Sequence, residues 1–137
     1  MTTISKKKVK FISYDGILEP IGDSQVLSYA KKLSKKYSIK ILSFEKKIDI
    51  NNKTKITNTI NELRKFDIKW KMLKYHNYTI ILGTLHNLFN GILDNLIDIM
   101  FNKINFYHIR GPIPGISIIP FIKIFKIKFI FDMRGFW

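Results

Sequence analysis

KVKFISYDGILEPIGDSQVLSYAKKLSKKYSIKILSFEKK, residues Lys8 to Lys47, decides the fold. Val9, Phe11 and Ile12 read as a short buried strand. DGILEPIG follows as a polar loop with two glycines and a proline. Asp23 or Ser24 is expected to cap the next helix, since a short side-chain oxygen accepts an orphan backbone N–H there. Val26, Leu27, Ala30, Leu33 and Tyr37 recur at helical spacing and form one apolar face. Ile39, Ile41, Leu42 and Phe44 form a second strand. Two apolar strands joined through a helix make a right-handed βαβ unit with parallel strands. Such sheets bind ligands beyond the carboxyl ends of their strands. The loop Asp15–Gly22 falls there, ahead of a helix N-terminus whose N–H groups favour anions.

Outward from this unit the pattern repeats. Glu45–Asn52 is a polar connection, and Thr54–Phe66 a helix with Ile56, Ile60 and Leu63 on one side. DIKWKML (Asp67–Leu73) alternates apolar and lysine positions, which predicts a half-exposed strand toward a sheet edge. A loop with His76 follows over Lys74–Tyr78. Thr79 to about Asn102 is mostly helical, starting near Thr84 because Gly83 breaks the pattern. Its expected buried face is Leu85, Leu88, Phe89, Ile92, Leu93, Leu96, Ile99 and Met100. NFYHIR (Asn105–Arg110) is a short strand ending in a rigid GPIPG loop. Gly115–Phe125 is a helix in which Pro120 must sit in the first turns or force a kink. KFIF (Lys128–Phe131) is the last strand. The order βαβαβαβαβ predicts an α/β fold: a Rossmann-like, doubly wound parallel sheet with helices on both faces, as a single domain over residues 1–137. A buried-type strand running into DMRGFW is expected to lead into another helix. The chain therefore reads as incomplete at its C-terminus, or as one module of a larger protein.

The 137 residues suffice for one domain with a core, and the absence of cysteine excludes disulfides and thiolate chemistry. The formal net charge is +14. Residues 1–74 hold 18 of the 24 cationic groups and 7 of the 10 acidic ones. Such a balance favours anionic partners. The cations are nearly all lysine, however, with arginine only at 64, 110 and 134. No arginine–aromatic stripe and no nucleic-acid motif is present, so nucleic acid is not an expected partner. MTTISKKKVK lacks a signal-peptide core. Ile80–Phe101 is interrupted by too many polar residues to span a membrane. A peripheral membrane contact stays open, with the lysine-rich helix Lys31–Lys36 as the expected contact. His76, His86 and His108 fall on separate elements, and no metal-ligand spacing is present.

SYDGILEPIGDSQVLSYAKKLSKKYSIKILSFEK and FIFDMRGFW resemble the amino-terminal half of glycosyltransferase family 4 enzymes, over nearly the whole chain. The E-P-x-G-x-S-Q-V-L run carries most of that resemblance. The family consists of retaining, metal-independent sugar transferases of GT-B architecture, with two Rossmann-like domains facing across a cleft. The resemblance implies an amino-terminal domain that mainly binds the acceptor. The donor-holding carboxyl-terminal domain, with its glutamate-containing motif, has no counterpart in this sequence.

Carried over by residue, Glu19-Pro20-Ile21-Gly22 matches the family's glycine-bearing loop near the donor diphosphate. Gly22 and Ile21 are then donor phosphate-binding residues and Glu19 faces the acceptor; Gly22 equally suits a turn alone. His108-Ile109-Arg110-Gly111 matches the cleft-lining loop after the fourth strand. Arg110 can bind an acceptor phosphate or carboxylate bidentately, or form an ordinary salt bridge. His108 is an acceptor-side residue or a packed core histidine. Asp132 and Arg134 stand where many members of the family carry a histidine. Asp132 can accept a sugar hydroxyl or assist its deprotonation, and Arg134 can stabilise leaving-group charge. The two can instead pair with each other. The resulting expectation is a cytoplasmic sugar transferase domain, with peripheral contact on the inner membrane face left open, for polysaccharide or glycolipid synthesis. It uses a nucleotide-sugar as co-substrate and no cofactor or metal. Its partners are a carbohydrate or lipid-linked acceptor and a separate donor domain. The rival readings are a non-catalytic, basic Rossmann-like binding module and a truncated gene remnant.

Overall fold

The computed structural model describes residues 6–133. Five strands, β1 (Lys8–Ser13), β2 (Ser38–Glu45), β3 (Lys69–Lys74), β4 (Phe106–Arg110) and β5 (Lys128–Asp132), form one sheet in the order β3-β2-β1-β4-β5. Every pairing is parallel. The connecting helices are α1 (residues 20–34), α2 (Lys47–Ile50), α3 (Lys53–Lys65), α4 (residues 80–102) and α5 (Pro112–Phe125). Alternate residues of a strand face opposite sides. Val9, Phe11, Ile39 and Ile41 pack on Val26, Leu27 and Ala30 of α1 and Leu63 of α3. Ile12, Leu42, Tyr107 and Ile109 form the opposite core with Ile118 of α5. The architecture is thus the doubly wound α/β sheet that the element order predicts. None of the described helices is long and apolar enough to cross a membrane.

Two helices start earlier than their residue types suggested, both at a proline. α1 begins at Pro20, with Glu19 as N-cap and no side-chain cap bond. Proline suits the first helical position because its φ is preset and its missing N–H is not needed there. Asp23 and Ser24 therefore lie inside the helix, in its π-helical segment Asp23–Leu27, rather than capping it. Ser24 Oγ donates to the Ile21 carbonyl at 3.2 Å. Likewise α5 begins at Pro112, so GPIPG supplies its N-cap, Gly111, and its first turn. Gly111 has φ 90°, a left-handed conformation that favours glycine. Pro120 lies well inside α5. The expected polar connection after β2 contains α2, and α3 starts at Lys53, where the Asn52 side chain accepts the Lys55 N–H at 3.0 Å. The alternating strand β3 forms one edge of the sheet, as its pattern predicts, and β5 forms the other.

The largest departure is α4. It starts at Ile80, capped by Thr79, and passes through Gly83. A Cβ at Gly83 would lie 2.5 Å from the His76 carbonyl oxygen, so the glycine permits close packing and does not break the helix. The buried positions are Gly83, Asn87, Gly91, Asp94, Asn95 and Asp98, the small and polar ones. Leu85, Phe89, Leu93 and Met100, expected in the core, are exposed. Leu88, Ile92, Leu96 and Ile99 are half-buried at the flanks.

The cause lies on β1. Lys10 is completely buried in the central strand. Its Nζ lies 2.6 Å from Asp94 Oδ2, 2.5 Å from Asp98 Oδ2 and 2.9 Å from Asn95 Oδ1. Lys40 of β2 reaches Asp98 Oδ1 at 2.5 Å, and Lys71 of β3 pairs with Asp94. A buried charge without a partner is far costlier than an exposed leucine, so the carboxylates turn inward and the apolar side turns out. Burial pushes the Lys10 pKa down, against the pull of Asp94 and Asp98. Burial pushes the Asp98 carboxyl up, but Lys10 and Lys40 outweigh it and hold the carboxyl below its usual value.

Candidate functional site

β1 and β4 are neighbours in the sheet, yet the chain winds away from them in opposite directions. This is the switch point at which open α/β sheets leave a crevice beyond their carboxyl ends. A cleft of about 480 Å³ lies there, lined by Gln25 and Tyr29 of α1, His108 and Arg110 of β4, and Asp132 of β5.

Arg110 organises the cleft. It ends β4, opposite Asp132 in register, and is only 6% exposed. Nη1 donates to Asp132 Oδ2 at 3.1 Å, and Nη2 donates to Gln25 Oε1. Nε lies 3.9 Å from Asp15 Oδ2. One guanidinium thereby ties the loop after β1, helix α1 and strand β5 together. Its Nε–H has no hydrogen-bond partner among the described residues, although it is buried. A buried unsatisfied donor in a cleft is a free position for an anionic or carbonyl oxygen.

His108 lies one pleat back on the same side of β4 and stacks on Phe11 with ring centroids 4.6 Å apart. Its Nδ1 has no partner among the described residues. Burial pushes its pKa down, with Asp132 pulling weakly the other way. A neutral imidazole follows at pH 7, so His108 brings hydrogen-bonding capacity rather than charge.

The loop between β1 and α1 is built on Glu45, the last residue of β2, which is completely buried. Glu45 Oε1 accepts the Ile17 N–H at 2.8 Å and the Ser43 hydroxyl at 2.6 Å. Oε2 accepts the Leu18 N–H at 3.3 Å. Burial pushes its pKa up, and these bonds oppose that shift. Gly16 lies against this carboxylate: a Cβ there would stand 2.2 Å from Oε2. Gly22 packs in turn on Gly16, and a Cβ on it would lie 2.0 Å from the Gly16 carbonyl oxygen. The close backbone approach at Gly22 is thus between loop and helix, and Gly22 is buried. Gly22→Ala meets backbone rather than a flexible side chain. A destabilisation of about 3 kcal/mol, or about 10 °C in melting temperature, is expected in a thermal melt.

Of the residues singled out in the sequence, His108, Arg110 and Asp132 come together in one cleft. Ile21, half exposed, and Gly22 form the first turn of α1, whose leading N–H groups have no intrahelical acceptor. Glu19 pairs with Lys46 at 2.9 Å. Arg134 lies outside the described residues. Asp132 pairs with Arg110. Gln25, Tyr29, Asp15 and Glu45 also shape the site. The first two sit four residues apart on α1, within and just after the quoted S-Q-V-L run, and their shared helical face was a usable signal. His76 and His86 do meet, stacked at 4.0 Å, with Asn87 Oδ1 accepting the His76 N–H at 2.9 Å.

No protein-family profile matches the chain, and no curated protein matches it. Solved structures share its fold. A glycosyltransferase from Rickettsia africae ESF-5 superposes with a TM-score of 0.63 at 16% identity, over 96% of this chain and 31% of that one. The carboxyl-terminal domain of the PF1911 hydrogenase from Pyrococcus furiosus gives 0.61 at 14%, over 93% and 91%. MurG from Acinetobacter baumannii gives 0.51 at 14%, over 96% and 37%. The chain spans about a third of the length of the Rickettsia glycosyltransferase and of MurG, and matches them in fold.

Proposed function

We propose that the chain is the acceptor-side domain of a GT-B sugar transferase, of the retaining, metal-independent kind, working with a separate donor-holding domain. The observation that favours this most is the buried Arg110 with its unsatisfied Nε–H in the switch-point cleft. The E-P-x-G-x-S-Q-V-L resemblance and the fold likeness to a glycosyltransferase support it. In this reading Arg110 holds a phosphate or carboxylate of the acceptor, charge against charge. His108 and Tyr29 contact its neutral part. The first turn of α1, at Ile21 and Gly22, faces the donor diphosphate.

Transfer then requires the acceptor hydroxyl to attack the anomeric carbon. The bond from that carbon to the diphosphate oxygen breaks, and its electron pair leaves with the diphosphate. The hydroxyl proton passes to a departing phosphate oxygen on the same face. Asp132, paired with Arg110, accepts a hydrogen bond from a sugar hydroxyl, and Arg134 steadies the leaving charge. Polysaccharide or glycolipid assembly suits such an acceptor.

Ligand-observed NMR with glucose 1-phosphate, glucose and a short DNA duplex tests the reading. Binding of glucose 1-phosphate but not glucose, surviving about 0.2 M salt, is expected. Binding of the duplex alone, with a steep salt dependence, would assign the chain to the class of basic binding modules.

A further inference from the structure

The two edges of the sheet are guarded unequally. β3, at one edge, carries Lys69, Lys71 and Lys74, and lysines on an edge strand discourage pairing with another chain. β5, at the other edge, reads KFIFD, and Lys128, Phe129, Ile130 and Phe131 are all exposed. No described residue pairs with its outer side. Beside it, on the α1 face of the sheet, an open groove of about 500 Å³ is lined by Leu33, Tyr37, Phe106, His108, Lys128 and Ile130. An exposed, mostly apolar edge strand is a template for another strand.

The backbone of β5 determines which groups that edge offers. The Asp132 carbonyl accepts the Gly111 N–H at 3.4 Å, so Asp132 turns its main-chain groups toward β4. Alternate residues of a strand turn theirs to opposite sides, and Phe129 and Phe131 therefore direct an N–H and a C=O each to the free edge. Side chains alternate between the faces in the same way. Lys128, Ile130 and Asp132 stand on the α1 face. Phe129 and Phe131 stand on the α5 face, where a Cβ on Gly115 would lie 2.9 Å from the Phe131 ring.

We propose that β5 pairs with β5 of a second copy of this chain, antiparallel and centred on Ile130, joining two sheets into one. A two-fold axis makes the pair antiparallel and self-complementary. Phe129 then opposes Phe131 of the partner subunit, and these outward-facing residues exchange both of their N–H···O bonds. Lys128 opposes Asp132 of the partner subunit on the α1 face, and the symmetry repeats this ion pair. Asp132 meets Arg110 through Oδ2, and a carboxylate accepts through two oxygens. The partner's Lys128 thereby adds a cation beside the cleft that Asp132 lines. Centring the pair on Phe129 or Phe131 would instead set Lys128 or Asp132 against Ile130. Pairing β5 with the β3 edge of another copy would offer Lys128 no acid, since KWKMLK has none. The inference does not depend on the sugar-transfer reading.

Sedimentation velocity of the purified chain tests it, and a monomer–dimer equilibrium that shifts to dimer with concentration is expected. Lys128→Glu sets like charges opposite each other and should weaken the dimer by about tenfold. Phe129→Pro removes an N–H that points to the free edge and leaves the bonds to β4 in place, so it should give a folded monomer. The chain has no cysteine, so introduced thiols read the register. Ile130→Cys should yield a disulfide-linked dimer in oxidised glutathione, because the central pair is of the non-hydrogen-bonded kind, with Cα atoms about 4.5 Å apart. Phe129→Cys and Phe131→Cys place their thiols two residues out of step and should cross-link much more slowly. A monomer at every concentration would overturn the proposal. So would a dimer that persists unchanged in both Lys128→Glu and Phe129→Pro, or cross-linking led by Phe129→Cys or Phe131→Cys.

Discussion

Replacing Asp98 by alanine is expected to cost about 3–5 kcal/mol of stability and to lower the melting temperature by roughly 10 °C or more. Asp98 faces Lys10 and Lys40 at 2.5 Å each, and Lys10 is completely buried. Removing the carboxylate leaves Lys10 with one carboxylate, Asp94, and the Asn95 amide oxygen, with no water to make up the loss. A surface ion pair would contribute a fraction of this. The effect depends on pH in a determined direction. The folded carboxyl titrates below its usual value of 3.8. Its stabilisation is therefore present above 3.8 and is lost as pH falls through the folded pKa. Asp98→Ala should consequently show a shallower acid limb than the parent in melts recorded from pH 7 to 2. Equal melting temperatures at pH 7 would show that the cluster does not hold α4.

Replacing Arg110 by alanine is expected to weaken the binding of phosphorylated sugars at the cleft by about tenfold to a hundredfold. That range follows from about 1.5–3 kcal/mol for a hydrogen bond to a charged group. The same change removes the link from Asp132 to Gln25 and leaves Asp132 without its cation. Arg110→Lys separates the two effects. Lysine keeps the charge but not the forked geometry that reaches Asp132, Gln25 and an anion together. It should restore much of the melting temperature while binding stays impaired. Titration calorimetry with glucose 1-phosphate, paired with melts of all three proteins, reads both.

The fold was legible because its signals are redundant. Five apolar runs alternate with helical patterns, and any one of them can be misjudged at its ends without changing the topology. The ends are harder to read where proline serves as a helix start: Pro20 and Pro112 read as loop residues, yet both sit at first helical positions. The face of α4 was not legible from its own residues. Its leucines follow the rule for a buried stripe, and only Lys10, some 84 residues away, shows why Asp94 must point inward instead. A lysine in the middle of the strand VKFIS was the available signal, because a central strand has no solvent for it.

The site was half legible for a similar reason. Arg110 and Asp132 lie at strand ends, with His108 one pleat back, where the sheet itself predicts a crevice. Gln25 and Asp15 owe their place to Arg110 reaching across three elements. Gly22 reads equally as a phosphate contact and as a turn residue in the sequence, and its packing against the Gly16 backbone is visible only in the fold.

In the proposed reading, the cleft around Arg110 receives an anionic sugar ligand. Backbone amide shifts of the labelled chain, followed as glucose 1-phosphate is added, test it most directly. Shifts gathered at Asp15–Gly22, Gln25, Tyr29, Arg110 and Asp132, and lost in Arg110→Ala, are the predicted result. Shifts scattered over the lysines of α1 and α3, or unchanged by Arg110→Ala, would contradict it.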